Sequence, residues 1–131
     1  MREINIIGAT SPLGIDLTRY LIDKGERVRM SYRSEGRVPI YLRECPSVET
    51  ALLDLNPSTD FAPFLSGTVI WLAHLDQGRF NEREVETNIA VFEQFLNQAK
   101  TCEQFRDGRR AERAIDCPDK INVRLVSANK P

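Results

Sequence analysis

The chain opens with an apolar run that ends at a glycine and passes through a short loop into an amphipathic segment. Ile4, Ile6 and Ile7 are typical of a β-strand. Apolar residues at helical spacing predict a helix over 13–24, and the run 27–32 predicts a second strand. Parallel strands cannot be joined by a tight turn and need a crossover, which is usually a helix. A helix between these two strands therefore predicts that they are parallel. The opening therefore favours a βαβ unit.

The remainder of the chain continues this alternation of strands and helices. We predict a short strand at 48–54, a short helix from Asn56, a strand at 68–73, a long helix at 82–102 and a last strand at 121–126. The fourth strand (TVIWLA) is almost wholly apolar, as in strands buried on both faces of a parallel sheet. The pattern predicts a doubly wound α/β fold of about five parallel strands, in the order 3-2-1-4-5, with helices on both faces.

The length and composition of the chain argue against several classes of protein. A length of 131 residues fits one domain, 1–131, in which the charged, turn-rich segment 103–120 is predicted to be a loop insertion. The net charge of −1 gives no basic surface for nucleic acid, and no apolar run reaches the roughly 18 residues that cross a membrane. Three scattered cysteines and one histidine predict no metal site and reduced thiols, as in the cytoplasm.

The loop after the first strand carries the candidate chemistry. A strand–loop–helix turn presents the amides of a helix N-terminus, where a dinucleotide pyrophosphate can dock. Gly8 would allow the sharp turn, Gly14 would allow close packing of the helix on the sheet, and Ser11 stands where a third glycine is usual. An ordinary tight turn remains the alternative. The residues predicted to contact the dinucleotide here are Gly8, Thr10, Ser11, Pro12, Leu13 and Gly14.

The run INIIGATSPLGIDLTRYLIDKGERVRMSYRS resembles the first βαβ unit of extended short-chain dehydrogenase/reductases, the NAD(P)-dependent epimerase/dehydratases. That family usually reads TGxxGxxG, and this chain has Ile7 for the threonine and Ser11 for the middle glycine. Asp54-Leu55 is similar to the family's pair beside the adenine. Ala73-His74 is similar to its cofactor-lining segment after the fourth strand. The resemblance implies a Rossmann fold and a bound NAD(P).

The end of the second strand bears on the choice of cofactor. NAD-binding proteins place an acidic residue there to hold the ribose hydroxyls. This chain has Ser31-Tyr32-Arg33, and its next acid is Glu35. Because a guanidinium pairs well with phosphate oxygens, Arg33 favours NADP, with NAD still possible. The alternative is that Arg33 is a solvated loop cation.

The family's catalytic Tyr-x-x-x-Lys pair follows the fifth strand, and this chain shows no such pair there. Tyr20 and Lys24 match the spacing by coincidence on the first helix, where Tyr20 is expected to pack under the phosphate loop. The resemblance implies a cofactor-binding domain of an epimerase, dehydratase or reductase that acts on a nucleotide sugar or a related carbonyl or hydroxyl substrate. This chain alone is expected to be inactive. The alternative is a non-catalytic NADP(H)-binding sensor or regulatory module.

The helix at 82–102 has an apolar arc wider than one buried face needs. One stripe consists of Val85, Ile89, Phe92, Leu96 and Ala99. Val91 and Phe95 extend the arc. We expect that wider face to be covered either within the chain, for instance by the 103–120 segment, or by a second copy in a homodimer, as family dimers pair this helix.

Overall fold

A computed structural model describes residues 3–73, 82–101, 105–107 and 121–125. Strands alternate with helices along this part of the chain. The elements in chain order are β1 (Glu3–Ile7), α1 (Pro12–Asp23), β2 (Arg27–Tyr32), α2 (Ile40–Arg43), β3 (Val48–Leu52), β4 (Thr68–Trp71), α3 (Glu82–Thr101), β5 (Phe105–Asp107) and β6 (Ile121–Leu125). Single 3₁₀ turns occupy Glu35–Arg37 and Ala62–Phe64.

The strands form one parallel sheet in the order β3-β2-β1-β4-β6-β5. β1 lies between β2 and β4, with Ile6 opposite Met30 on one side and Ile70 on the other. The predicted order 3-2-1-4-5 is confirmed, with β6 in the place of the predicted fifth strand. The loop predicted over 103–120 is wrong at 105–107, where β5 adds an edge strand beside β6. Three residues are too few to show a strand period in sequence.

Side chains that alternate along the strands build a core on each face of the sheet. Ile6, Val28 and Met30 are buried on the face covered by α1 and α2. Ile7 and Trp71 are buried on the opposite face, against α3 and the 3₁₀ turn before β4. Helices therefore cover both faces, as a doubly wound sheet requires.

α1 has a defined beginning and end. The Ser11 hydroxyl caps the helix, and Pro12 occupies its first position, where a missing N–H costs nothing. The chain leaves the helix through Gly25, whose φ of +83° lies in the left-handed region that glycine adopts readily. The predicted helix over 13–24 is confirmed to within one residue.

Two segments between strands differ from the sequence interpretation. The helix expected from Asn56 is reduced to the turn Ala62–Phe64. The Asn56 side chain accepts the amide of Ser58, and the Thr59 hydroxyl accepts the amide of Asn56, so side chains replace the helical ladder. The segment 33–47, for which no helix was predicted, contains α2 with Leu42 buried.

α3 turns to the sheet its additional apolar arc and only the C-terminal part of the predicted stripe. Val91, Phe95 and Ala99 are fully buried, whereas Val85 and Ile89 are 42% and 52% exposed. Of the two predicted alternatives, a cover within the chain is confirmed for Val91 and Phe95, which pack into the core on this face of the sheet. In the described part of the chain, no helix has the length and apolar character needed to span a membrane.

Candidate functional site

The carboxyl ends of β1 and β4 approach each other closely at Gly8. This residue has a φ of +89°, which a side chain would strain. A Cβ at Gly8 would lie 2.6 Å from the backbone nitrogen of Ala73. Gly8 and Ala73, both predicted to contact the dinucleotide, therefore lie against each other, and the predicted sharp turn at Gly8 is confirmed.

Ser11 closes the loop with its side chain. Its hydroxyl donates to the carbonyl of Gly8 at 3.1 Å and accepts the amide of Gly14 at 3.1 Å. Its backbone, at φ −68° and ψ 160°, is extended, so a residue other than glycine fits without strain. Serine in place of the family's middle glycine thus gives a capped helix rather than an open one.

The cap leaves one amide available at the helix N-terminus. Pro12 has no N–H, and the amides of Gly14 and Ile15 donate to the Ser11 hydroxyl and carbonyl. Within the described residues, the amide of Leu13 makes no hydrogen bond to another group. Unpaired amides at a helix N-terminus attract anions, aided by the helix dipole.

Gly14 is confined by the loop rather than by the sheet. A Cβ there would lie 2.5–2.7 Å from the carbonyl oxygen, carbonyl carbon and Cα of Ala9. The Thr18 hydroxyl then donates to the carbonyl of Gly14 at 2.8 Å from within the helix. Glycine is needed at this position, as predicted, but the close neighbour is the turn of the loop.

Sequence reasoning missed Ser31, which ties β2 to the loop. Its hydroxyl accepts the amide of Gly8 at 2.9 Å, and the residue is 5% exposed. Ile6 pairs with Met30, so the next residue of β2 lies beside the turn that follows β1. A serine between Met30 and Tyr32 near the end of the strand was the available signal, but its partner depends on the strand register.

The carboxyl ends of β2 and β3 bring Arg33 and Asp54 together. The Arg33 Nε and an Asp54 carboxylate oxygen are 3.7 Å apart. Both side chains are mostly in solvent. Leu55 is half-buried against the core on the α3 face. Because parallel strands end at one edge, this pair lies at the same edge of the sheet as Gly8.

The position of the candidate lining segment after β4 is described up to Ala73. The Trp71 indole N–H donates to the carbonyl of Ala73 at 3.1 Å. His74 lies outside the described residues. Tyr20 is 58% exposed beside Lys24, whose ammonium lies 5.3 Å from the ring centre, so the expected packing of Tyr20 under the loop is wrong.

A cavity of about 290 Å³ lies at the opposite edge of the sheet, around the amino ends of β1, β2 and β3. Arg29 is one of the charged residues that line this cavity. Its guanidinium contacts the Glu49 and Glu3 carboxylates, and donates to the Asn5 side chain and the Pro63 carbonyl. Because the N–H groups of Arg29 already have protein partners, we interpret these contacts as structural and do not assign a ligand to the cavity. In the residues that the structure describes, no group of three potential metal ligands comes together.

No protein-family model and no curated protein matches the sequence. Solved structures do resemble the fold. The WbmH enzyme of Bordetella bronchiseptica in complex with NAD⁺ superposes with a TM-score of 0.58 and 14% identity, over 82% of this chain and 40% of that one. WbmG of the same organism, in complex with NAD, gives 0.54 and 14%, over 82% and 38%.

A third structure matches over more of its own length. It is described as a short chain dehydrogenase/reductase family oxidoreductase from Aeromonas hydrophila, with a TM-score of 0.62 and 16% identity, over 97% of this chain and 80% of that one. The chain has a Rossmann fold. It spans about two fifths of each Bordetella enzyme. In a Rossmann fold the ligand crevice lies outside the carboxyl ends of the strands, which is the edge that Gly8, Arg33 and Asp54 share.

Proposed function

We propose that this Rossmann domain binds NADP(H) at the carboxyl edge of its sheet. The observation that carries the proposal is the turn at Gly8, where a φ of +89° and the close approach of Ala73 demand glycine beside a helix N-terminus. The pyrophosphate would meet the amide of Leu13, with Thr10 and Pro12 flanking it. The adenosine would extend over the ends of β2 and β3, toward Arg33 and Leu55.

Arg33 supports NADP over NAD in this proposal. Its side chain is 79% exposed after the end of β2, and its solvent-exposed pair with Asp54 leaves the guanidinium within reach of a 2′-phosphate. No carboxylate stands on β2 itself to hold ribose hydroxyls, because Ser31 fills that place and is engaged by Gly8. NAD remains the second dinucleotide to test, since two structures of similar fold are NAD complexes.

Arg33→Ala is expected to weaken NADPH binding about 10-fold, which is the loss of one charge-assisted contact at an exposed site. NADH affinity should stay within about 2-fold, since NADH has no 2′-phosphate for a guanidinium to contact. Calorimetric titration measures both affinities, and the single Trp71 near the site gives a second signal by energy transfer to bound NADPH.

Arg27→Ala is the matched control for this experiment. Arg27 is an exposed arginine on the same strand, but it lies at the amino end of β2, beside the cavity at the far edge. It should leave both affinities unchanged. Equal losses from the two variants would assign the effect to overall charge and overturn the NADP preference.

We further propose that the whole protein acts as an epimerase, dehydratase or reductase on a nucleotide sugar or a related carbonyl or hydroxyl substrate, in the cytoplasm. This chain supplies the dinucleotide-binding part of that activity. The support is the resemblance of the first βαβ unit and the shared fold with the enzymes above. Fold alone does not determine a substrate, so the substrate class rests on the resemblance.

We also propose that the domain associates with a second copy through α3. Val85 and Ile89 leave an apolar strip on the solvent side of that helix. Sedimentation velocity should show a concentration-dependent dimer, and Ile89→Glu should shift it to monomer, because a carboxylate in an apolar interface is costly to desolvate. Ile40→Glu, at an exposed apolar residue of α2 on the other face of the sheet, is the control. A wild-type monomer at all concentrations would refute the proposal.

A further inference from the structure

Arg33 differs from Arg29 in how its charge is engaged. Arg29 is locked by two carboxylates and two further acceptors, and its side chain is 19% exposed. Arg33 meets Asp54 at 3.7 Å, with side chains 79% and 69% exposed. A pair of this kind is weak in water, worth about 1 kcal/mol or less, so a stronger anion can displace the carboxylate.

The backbone that carries Asp54 is nevertheless held in place. The Thr59 hydroxyl donates to the carbonyl of Asp54 at 2.7 Å. The Gln98 side chain on α3 then donates to the carbonyl of Thr59 at 2.6 Å and accepts the amide of Phe61 at 2.7 Å. The amide of Leu53 donates to the carbonyl at the end of β2, at 2.8 Å. The backbone of Asp54 is therefore fixed beside the end of β2, and this keeps its carboxylate within a side-chain length of Arg33.

We propose that Asp54 is a specificity-determining residue that lowers the affinity for 2′-phosphorylated dinucleotides. This inference rests on the proposed dinucleotide binding. A 2′-phosphate must take Arg33 from Asp54 and then remain beside the displaced carboxylate, and both steps cost free energy. A dinucleotide with a free 2′-hydroxyl leaves the Arg33–Asp54 pair intact. The pair makes the site tolerant of both cofactors, with Arg33 favouring the phosphate and Asp54 opposing it.

The test is Asp54→Asn, titrated with NADPH and NADH by calorimetry. Because a like charge beside the phosphate is removed at a solvent-exposed site, NADPH affinity should rise about 3- to 10-fold while NADH affinity changes less than about 2-fold. Asp23→Asn, which removes the same charge at the end of α1 near the opposite edge, should change neither affinity. Asp54→Ser is a second variant without the charge, and thermal melting checks that each variant is folded.

A double-mutant cycle with Arg33→Ala separates competition from general repulsion. In the Arg33→Ala background, Asp54→Asn should raise the logarithm of the NADPH affinity by less than half as much as in the wild-type background, because no guanidinium remains to be released from Asp54. An equal gain in both backgrounds, or equal gains for NADPH and NADH, would overturn the inference while leaving the proposed function intact. If the wild-type protein binds neither dinucleotide, the proposed function fails and the inference fails with it.

Discussion

Gly8→Ala is expected to destabilise the protein by about 2–5 kcal/mol and to abolish NADPH binding, since left-handed backbone strain and a steric overlap both apply. The residue has a φ of +89°, and its new methyl group would lie 2.6 Å from the backbone nitrogen of Ala73. Relief requires the ends of β1 and β4 to separate. On its other side, the amide of Gly8 donates to the Ser31 hydroxyl at 2.9 Å, so β2 limits how far the turn can move away from Ala73. The damage is therefore concentrated at the proposed phosphate turn.

Gly25→Ala is the matched control, because it isolates the backbone cost. Gly25 has a nearly equal φ of +83°, but nothing lies within 4 Å of an added Cβ. Its cost should be the left-handed penalty alone, about 1–2 kcal/mol, with NADPH binding retained. Urea denaturation gives the two free energies of unfolding. If Gly8→Ala costs no more than Gly25→Ala, the close approach of Ala73 to the turn is not a real constraint.

The order of the sheet could be predicted because it follows from local patterns and handedness. The apolar runs that became β1 and β4 were visible as strands, and the helix between β1 and β2 forced those strands to be parallel. Right-handed crossovers then placed β1 in the centre, as the pairing of Ile6 with both Met30 and Ile70 shows. The bounds of α1 could be predicted to within one residue because apolar periodicity depends on residues close in sequence.

Features set by contacts between distant segments could not be predicted. The loop after β3 was taken for a helix, although Thr59 and Gln98 hold it by side-chain hydrogen bonds over a separation of 39 residues. The contact of Ser31 with Gly8 depends on register, and the proximity of Arg33 to Asp54 depends on β3 pairing with β2. The sequence indicated Arg33 and Asp54 separately, but only the fold shows that their charged groups lie close together.

The orientation of α3 was ambiguous for a different reason. Its sequence offers two adjacent apolar stripes, and helical periodicity alone cannot decide which one faces the sheet. The aromatic residues decide it. Phe95 packs edge-on against Phe61 at 5.3 Å between ring centres, and lies 5.0 Å from the ring of Trp71. The large rings fill the space between α3 and the sheet, so only the N-terminal part of the predicted stripe, Val85 and Ile89, is left facing outward.

Phe95→Ala is accordingly expected to cost about 3–5 kcal/mol, the usual range for removing a fully buried phenyl ring. Ile89→Ala on the same helix should cost about 1 kcal/mol or less, because Ile89 is 52% exposed and alanine favours the helix.

Urea denaturation followed by circular dichroism measures both free energies of unfolding. The protein concentration is kept where the protein is monomeric, so that association through α3 does not contribute to the comparison. Trp71 fluorescence should change with Phe95→Ala, because the two ring centres are 5.0 Å apart, and should change less with Ile89→Ala, because Ile89 is half exposed. The reverse order of costs would mean that α3 presents the Val85–Ile89 stripe to the sheet, and the proposed dimer surface would then be core.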